Sequence, residues 1–274
     1  MRRLAKKIAA SIMALTLVVA MGTTCFGATW GSYFGASAGW YEGAEGQLTA
    51  NKADGFTAKM ATVGWGGVWG AQVFMDQKQN TSGKVSVKKG KKYTLTFTAK
   101  GTNVQKYVYV KISEGETLAY STWVKLTPGK TVKFNKTFKA KANASTIYFG
   151  LGGDFGNRED TADDVDAAIR YAAFTKQFKK NGQSTLAAED ANGDSTASID
   201  ITVSKFAVLG EAKVKKVKSP KKGKVKVTIA KADGAAKYKV KVGSKTTTTK
   251  KTTVTVKAKA GKKVKVQVLS LIHI

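Results

Sequence analysis

Histidine and cysteine are nearly absent from the 274-residue chain, which has one of each, His273 and Cys25. Catalysis of the Ser-His-Asp or Cys-His type needs a histidine in the folded domain, and His273 lies in an ending that departs from the pattern of the preceding strands. A zinc site with histidine ligands is excluded for the same reason. The sequence also lacks a glycine-rich phosphate loop between a strand and a helix. These absences exclude the commonest hydrolase and nucleotide-binding chemistries.

The N-terminus has the three regions of a secretory signal peptide. Four basic side chains precede an apolar run over residues 8–21, and cleavage is expected after Gly27 or Ala28. The apolar run is short for a membrane span, and the alternatives are a buried N-terminal helix or a lipid-modified Cys25. We expect residues 1–27 to be a signal peptide, which leaves a secreted or cell-surface, extracellular chain without a disulfide.

Acidic residues are scarce, 18 against 47 basic ones, and the net charge of +29 is unevenly placed. From Ala212 onward there are twenty lysines and one acid, Asp233, which gives that part a net charge of +19. Lysine supplies nearly all of this charge, and the export signal argues against nucleic acid as a partner. An anionic cell-wall polymer is the expected partner, and a merely solvated surface is the alternative.

Apolar and polar residues alternate with a period of two through much of the first half of the chain, which predicts half-buried β-strands. In one of them Val108 and Val110 are expected to face the core, and Tyr107 and Tyr109 the opposite side. Many short strands at regular spacing are typical of a sandwich or jelly roll. We predict an all-β chain in which residues 28–211 form a jelly-roll β-sandwich.

The alternation stops after Gly152, and the polar stretch that follows contains one predicted helix. Thr161 is a suitable N-cap, and the lysines before Asn181 suit the negative end of the helix. We interpret residues 161–181 as a helical insert over one edge or end of the sheet. The segment Asp190–Asp194 resembles the start of a calcium loop but lacks the glycine and glutamate that an EF-hand requires further on.

The lysine-rich tail, residues 212–268, is predicted to form further alternating strands. It resembles the lysine-rich fibronectin-type-III-like modules of secreted bacterial proteins through Ser219-Pro220, Gly234–Tyr238 and the turn at Ala260–Lys262. A seven-strand sandwich of that class needs roughly 100 residues, so we predict a truncated module, a partial Ig/fibronectin-like β-sandwich that is one strand short. Residues 269–274 abandon the alternation, and we interpret them as an artefactual ending.

Aromatic residues stand out in Val63–Met75, where two tryptophans, four glycines and one glutamine precede an apolar segment. Sugar rings have apolar C–H faces that stack on tryptophan and tyrosine, while amide and charged side chains bond the sugar hydroxyls. For each ring the alternative is burial in the core. The predicted carbohydrate-binding residues are Trp65, Trp69, Gln72, Tyr107, Tyr109, Trp123 and Tyr148.

The two tryptophans of this stretch are not equivalent. In a regular strand Trp69 shares a face with Ala71, opposite Gln72, and is buried unless a bulge at Gly70 re-aims it. Trp65, in the preceding glycine loop, is then the freer ring.

Paired carboxylates are the remaining route to catalysis, because glycoside hydrolysis needs two acids about 5–10 Å apart. The candidates are Glu42 with Glu45, Glu114 with Glu116, and Asp154 with Glu159 or Asp160. All fall in predicted or probable loops, where acidic side chains are usually solvated. Enzymatic activity is therefore left open: no catalytic site is visible in the chain, and a glycoside hydrolase domain could follow it.

Residues 30–209 resemble the carbohydrate-binding modules of families 4 and 9. The matching segments, in chain order, are Trp69–Val73, Lys89–Lys100, Phe134–Phe138 and Ile147–Gly153. The most specific of them is the Gly-x-x-Tyr-x-Leu-x-Phe-x-Ala-Lys pattern that ends at Lys100. The resemblance implies a jelly roll that binds β-glucan or xylan chains in a cleft on its concave sheet, usually attached to a glycoside hydrolase. It also implies a structural calcium. Ser204 argues against this calcium, because it lies near a position where the family often has an aspartate.

We therefore predict a secreted carbohydrate-binding protein that is the non-catalytic part of a polysaccharide-degrading protein. Its expected partners are β-glucan or xylan and an anionic cell-wall polymer, without nucleic acid and without a membrane span. One alternative is a cell-surface adhesion or wall-attachment protein that uses the lysine-rich tail. The other is an unrecognised glycosidase.

Overall fold

The structure is a computed structural model that describes residues 29–34, 44–63, 67–76, 81, 85–101, 105–152, 172–173, 176–177, 199–232, 235–258 and 264–271. Strands make up 71% of these residues and helix 4%, which confirms the predicted all-β class. The predicted signal peptide, Trp65 and most of the predicted helical insert lie outside the described residues. Within the described part of the chain, no helix is long and apolar enough to cross a membrane.

The first sandwich consists of two five-stranded antiparallel sheets. Its strands are β1 (Gly31–Phe34), β2 (Ala44–Lys52), β3 (Gly55–Val63), β4 (Ala71–Met75), β5 (Lys92–Gly101), β6 (Lys106–Glu114), β7 (Thr117–Leu126), β8 (Thr131–Lys139), β9 (Thr146–Gly150) and β10 (Ile199–Gly210). We call the sheet of order β1-β4-β9-β6-β7 the aromatic sheet, and the sheet of order β2-β3-β10-β5-β8 the threonine sheet. The two together are the predicted jelly-roll β-sandwich.

The core of the first sandwich lies between the facing sides of its two sheets. Val108, Val110 and Ile112 of β6 are buried in this core. Tyr107 and Tyr109 alternate with them and belong to a separate cluster on the other side of the same sheet. The predicted orientation of β6 is therefore confirmed, and it places tyrosine rings on the outer side of the aromatic sheet.

The outer side of the threonine sheet is polar. The hydroxyls of Thr57 and Thr202 lie 3.1 Å apart across β3 and β10, and those of Thr94 and Thr137 lie 3.1 Å apart across β5 and β8. Such threonine pairs stabilise neighbouring strands but offer no ring for a ligand to stack on. Tyrosine and tryptophan side chains lie on the outer side of the aromatic sheet, which is therefore the candidate for a site.

The second sandwich has a hydrophobic core of its own. Its strands are β11 (Lys213–Lys221), β12 (Lys224–Ala230), β13 (Lys237–Val242), β14 (Lys245–Thr249), β15 (Thr253–Lys257) and β16 (Val266–Leu271). They form two three-stranded sheets of order β11-β12-β15 and β14-β13-β16. Val227 and Val240, one from the central strand of each sheet, are fully buried between them. This is a partial β-sandwich, and its kinship with fibronectin-type-III-like modules stays a prediction.

The last strand runs further than the sequence pattern indicates. Alternation predicts an end at Val268, but β16 continues to Leu271. Leu269 pairs with Lys239 and Leu271 with Lys237 of β13. The side chain of Leu269 is 61% exposed, because it lies on the outer side of its sheet, opposite the core.

Tyr120 of β7 makes the stability of the first sandwich depend on pH in the alkaline range. Its ring stacks on Phe138 with centroids 4.1 Å apart, and its burial raises the pKa of the phenol, an effect that a hydrogen bond with Thr122 partly offsets. Above the ordinary tyrosine pKa of about 10, the unfolded chain releases a proton that the folded chain retains, so stability falls as the pH rises towards the folded pKa. We expect Tyr120→Phe to lose less stability than the parent chain between about pH 9 and pH 11. Urea unfolding at both pH values measures this, and equal losses in the two proteins would contradict it.

Candidate binding site

One row of residues crosses all five strands on the outer side of the aromatic sheet. The register places Tyr33 opposite Gln72, Gln72 opposite Gly150, and Gly150 in turn opposite Tyr109. Tyr109 is opposite Trp123 on the edge strand β7. Since residues paired across strands lie on the same face, these five positions form one line. Gly150, in the middle of the line, has no side chain and is buried.

A second row lies two residues further along the strands. Here Phe74 is opposite Tyr148, Tyr148 is opposite Lys111, and Lys111 is opposite Ser121. Phe74 is buried, whereas Tyr148, Lys111 and Ser121 are partly exposed. This row therefore presents a phenol, an ammonium group and a hydroxyl side by side.

Trp69 lies on this face although regular strand alternation would place it in the core. Residues Gly67–Trp69 form a 3-10 turn, and β4 begins only at Ala71. The turn is held against the residues that follow β9, because the amide of Gly152 donates to the carbonyl of Val68 at 3.0 Å. The side-chain amide of Gln72 donates to the carbonyl of Trp69, also at 3.0 Å. A turn, and not a bulge at Gly70, brings Trp69 to the same side as Gln72.

The indole of Trp69 contacts both rows. Its centroid lies 5.6 Å from that of Tyr109 and 6.2 Å from that of Tyr148, with interplanar angles of 73° and 81°. This edge-to-face geometry is favourable for aromatic pairs and holds the half-buried indole steeply inclined to both rings. The ammonium of Lys111 lies 4.8 Å from the centroid of Trp69 and 5.9 Å from that of Tyr148, within the range of a cation–π interaction.

Asp76, just after β4, fixes the phenol of Tyr148. The Tyr148 hydroxyl donates to Oδ2 of Asp76 at 2.6 Å, the short distance expected of a bond to a carboxylate. Asp76 is itself 5% exposed, and its backbone amide donates to the hydroxyl of Thr81 at 3.0 Å. Tyr148 is therefore oriented by a buried partner while part of its ring remains exposed.

The other half of the face is covered. Tyr107, Tyr109 and Trp123 are at most 5% exposed and form one cluster, against which Ala173 of the insert packs. Gln177, also from the insert, accepts a hydrogen bond from the backbone amide of Trp123 at 2.8 Å. Its side-chain amide donates to the hydroxyl of Thr122 at 3.0 Å. The insert thus contacts the β7 edge of the aromatic sheet, in agreement with the expected position over one edge.

The structure therefore divides the predicted site residues into two groups. Trp69, Gln72 and Tyr148 come together on the partly exposed half of the face. The predicted residues that lie in the buried cluster are Tyr107, Tyr109 and Trp123. Trp65 lies outside the described residues.

Sequence reasoning missed three neighbours of this site. Lys111 could have been found from the sequence, because the alternation that places Tyr109 on the outer side also places the residue two positions later there. Asp76 and Gln177 could not have been found in this way, since a contact between Asp76 and Tyr148, or between an insert and a strand edge, leaves no local pattern.

The candidate acids that the structure describes are Glu114, Glu116 and Glu45. Glu114 accepts hydrogen bonds from the backbone amide and the hydroxyl of Ser145, so it ties β6 to the start of β9. Glu116 is exposed in the turn around Gly115, which has a φ of 54°. Glu45 is exposed on β2, while the other candidate acids lie outside the described residues. In the described part of the chain, no group of three or more His, Cys, Asp or Glu residues could hold a metal ion.

Comparison with known proteins gives structural neighbours only. No family model and no curated protein matches the sequence. A solved structure described as CBM4 has 16% identity, and the match covers 67% of this chain and 95% of that one with a TM-score of 0.39. The N-terminal cellulose-binding domain of Cellulomonas fimi β-1,4-glucanase C has 17% identity, with coverage of 69% and 94% and a TM-score of 0.38. The N-terminal CBM22 tandem domain of Paenibacillus barcinonensis Xyn10C has 10% identity, with coverage of 92% and 82% and a TM-score of 0.32.

Proposed function

We propose that the chain is a secreted carbohydrate-binding protein that holds β-glucan or xylan chains on the partly exposed half of the aromatic sheet. The observation that carries this proposal is the grouping of Trp69, Tyr148, Gln72 and Lys111 on one face. Two inclined rings supply apolar surface for the C–H faces of sugars, and the amide and ammonium groups beside them suit sugar hydroxyls.

Each side chain has a distinct part in this proposal. Trp69 and Tyr148 stack on sugar rings, and Asp76 keeps Tyr148 in its orientation. The oxygen of the Gln72 amide accepts from a hydroxyl while its nitrogen stays bonded to Trp69. Tyr109 contacts the indole and Trp123 packs on Tyr109, so both act on binding through Trp69. No covalent step is involved.

The wider setting is part of the proposal. The sequence pattern of residues 1–27 supports export, and the resemblance to carbohydrate-binding modules supports an association with a polysaccharide-degrading enzyme. The structural role of Glu114 speaks against the Glu114 and Glu116 pair as a catalytic centre. The chain would thus deliver an attached glycoside hydrolase to its polymer without cleaving it.

Trp69→Ala is expected to weaken binding to at least one neutral β-glucan or xylan by about 1–3 kcal/mol, roughly 5- to 150-fold, if the indole stacks on the sugar. Affinity electrophoresis of the full chain in gels with soluble cellulose derivatives, mixed-linkage β-glucan, xylan or pectin measures this. Lys59→Ala, at an exposed position on the outer side of the threonine sheet, is the matched control and should bind as the parent does.

Three outcomes would count against the proposal. Absence of retardation on every neutral polymer would refute it. Retardation on pectin alone, abolished by salt, would favour attachment through the lysine-rich tail. Release of reducing sugar from any of the polymers would show that a catalytic pair had been overlooked.

A further inference from the structure

Lysines of the second sandwich are stacked in rows across the sheet β11-β12-β15. Lys218 of β11 is opposite Lys226 of β12. One row further, Lys221 is opposite Lys224, and Lys224 is opposite Lys257 of β15. Lys224 and Lys226 alternate along β12 with buried valines, so they lie on the outer side of the sheet. The lysines paired with them on β11 and β15 lie on the same side. The positive charges of this sheet are therefore neighbours both along the strands and across them.

We call this surface the lysine face. Its members are Lys216, Lys218, Lys221, Lys224, Lys226 and Lys257. All six are exposed. The positions between them on the same face are held by threonines such as Thr255, and the one acid of residues 212–274, Asp233, lies outside the described residues.

The spacing of the lysine face is set by the sheet. Neighbouring strands lie about 4.8 Å apart, and alternate residues of one strand about 6.6 Å apart. Both backbone spacings are below the screening length of about 8 Å at physiological ionic strength, so neighbouring lysines add to the same positive electrostatic potential. A surface of this kind attracts a partner whose negative charges recur at intervals of a few ångström.

The opposite sheet differs in arrangement. On the outer side of β14-β13-β16, lysines form a single file along β13: Lys237, Lys239 and Lys241. Their neighbours across the strands are Leu269, Leu271, Gln267 and threonines of β14. The same sandwich therefore offers a file of three lysines as an internal comparison for the lysine face.

We propose that the lysine face is a binding site for an anionic cell-wall polymer, one whose carboxylates or phosphodiesters repeat along an extended chain. The site is separate from the carbohydrate site of the first sandwich and does not depend on the function proposed for it. Lysine ammonium groups are point charges without the planar fork of arginine, so they favour dense charge over a particular anion geometry. The face has no aromatic side chain on which a nucleic-acid base could stack, which favours the wall polymer over single-stranded nucleic acid.

The test uses the full chain and two triple variants that remove the same charge. One is Lys218→Gln/Lys224→Gln/Lys226→Gln on the lysine face, and the control is Lys237→Gln/Lys239→Gln/Lys241→Gln on β13. The probes are polygalacturonate, which carries carboxylates, and poly(glycerol phosphate), which carries phosphodiesters. Affinity for each is measured by titration calorimetry at several salt concentrations.

The lysine-face variant is expected to bind the preferred polymer at least about tenfold more weakly, and its slope of log affinity against log salt should be smaller by about two to three. The control should lose less than about threefold, as expected of charges that add only to the general field. Tighter binding of polygalacturonate identifies uronate carboxylates as the ligand chemistry, and tighter binding of poly(glycerol phosphate) identifies phosphodiesters. Binding of neutral glucan should be the same in all three proteins.

Three results would overturn the proposal. Equal losses in the two variants would mean that net charge, and not the lysine face, is responsible. Absence of salt-dependent binding to either polymer would mean that the lysines are only solvated. Tighter binding of duplex or single-stranded DNA than of both polymers at the same salt concentration would assign the face to nucleic acid.

Discussion

Trp30→Ala should lower the free energy of unfolding of the first sandwich by about 3–5 kcal/mol, the range found when large aromatic side chains are removed from a core. Trp30 is 1% exposed. Its ring packs edge to face on Phe56, Phe149 and Phe206 at centroid distances of 5.1, 5.7 and 4.8 Å. These three phenylalanines come from both sheets, so the alanine variant would leave a cavity at the junction of the two layers.

Hydrogen bonds add to this effect. The indole nitrogen of Trp30 donates to the carbonyl of Lys52 at 2.9 Å. The side chain of Asn51 accepts from the backbone amide of Trp30 at 2.9 Å and donates to its carbonyl at 2.6 Å. Loss of the indole would leave the Lys52 carbonyl without this donor and loosen the junction between β1 and the end of β2. Domains are stable by only about 5–15 kcal/mol, so the variant would lose a large fraction of its stability.

Scanning calorimetry of the full chain measures the effect, because the first and second sandwiches have separate hydrophobic cores. The transition of the second sandwich serves as an internal reference. Trp69→Ala is the matched control: it removes the same ring from a half-buried outer position and should cost clearly less. Trp30→Phe retains a smaller aromatic ring and loses the bond to Lys52, so its cost should fall between those of the two alanine variants. A loss under about 1 kcal/mol for Trp30→Ala, well below core substitutions of this kind, would contradict the assigned packing.

The strands of the first sandwich were predictable from the sequence because one face of each strand is buried. In β6, valines alternate with Tyr107 and Tyr109, and this period-two pattern admits one orientation, because a slip of one residue would turn the valines to the outer side of the sheet. The same physics explains what was less predictable at the edges. At β16, where one side chain of the outer face is the exposed Leu269, no burial marks the end of the strand.

The site was less predictable, because its geometry departs from strand alternation. A 3-10 turn of three residues changes the direction of Trp69, and nothing in the sequence distinguishes this turn from a bulge at Gly70. Likewise, Tyr109 and Trp123 carry the sequence signature of ring residues on an outer face. They are buried against Val68, Trp69 and Ala173 of the insert, which lie far from them along the chain. Local patterns report the face of a residue, and they do not report what covers that face.

The absence of a side chain at Gly150 allows the 3-10 turn Gly67–Trp69 to lie against the sheet. A Cβ atom at position 150 would lie 2.7 Å from Cγ2 and 3.0 Å from the carbonyl oxygen of Val68, and 3.3 Å from Cζ3 of Trp69. Val68 is 1% exposed and its carbonyl accepts a hydrogen bond from the amide of Gly152, so it has little room to move. The missing side chain of Gly150 is thus the space that the turn Gly67–Trp69 occupies.

Gly150→Ala is therefore expected to push the turn away from the sheet and to separate Trp69 from Tyr109 and Tyr148. The overpacking should cost about 1–3 kcal/mol of stability. Polysaccharide binding should weaken about as much as in Trp69→Ala, by roughly 1–3 kcal/mol, because the indole would lose the two rings that hold it. Near-ultraviolet circular dichroism should show the change in the environment of Trp69, and affinity electrophoresis should show the loss of binding.

A second substitution identifies the cause. Val68→Ala removes the Cγ2 atom that lies nearest to the added methyl group, so Gly150→Ala/Val68→Ala should recover part of the near-ultraviolet signal and part of the binding. In a cycle with Trp69→Ala, the effects of Gly150→Ala and Trp69→Ala on binding should be far from additive, since both act through the same ring. Additive losses would mean that Gly150 acts on binding independently of the indole, which would contradict the proposed role of the turn Gly67–Trp69.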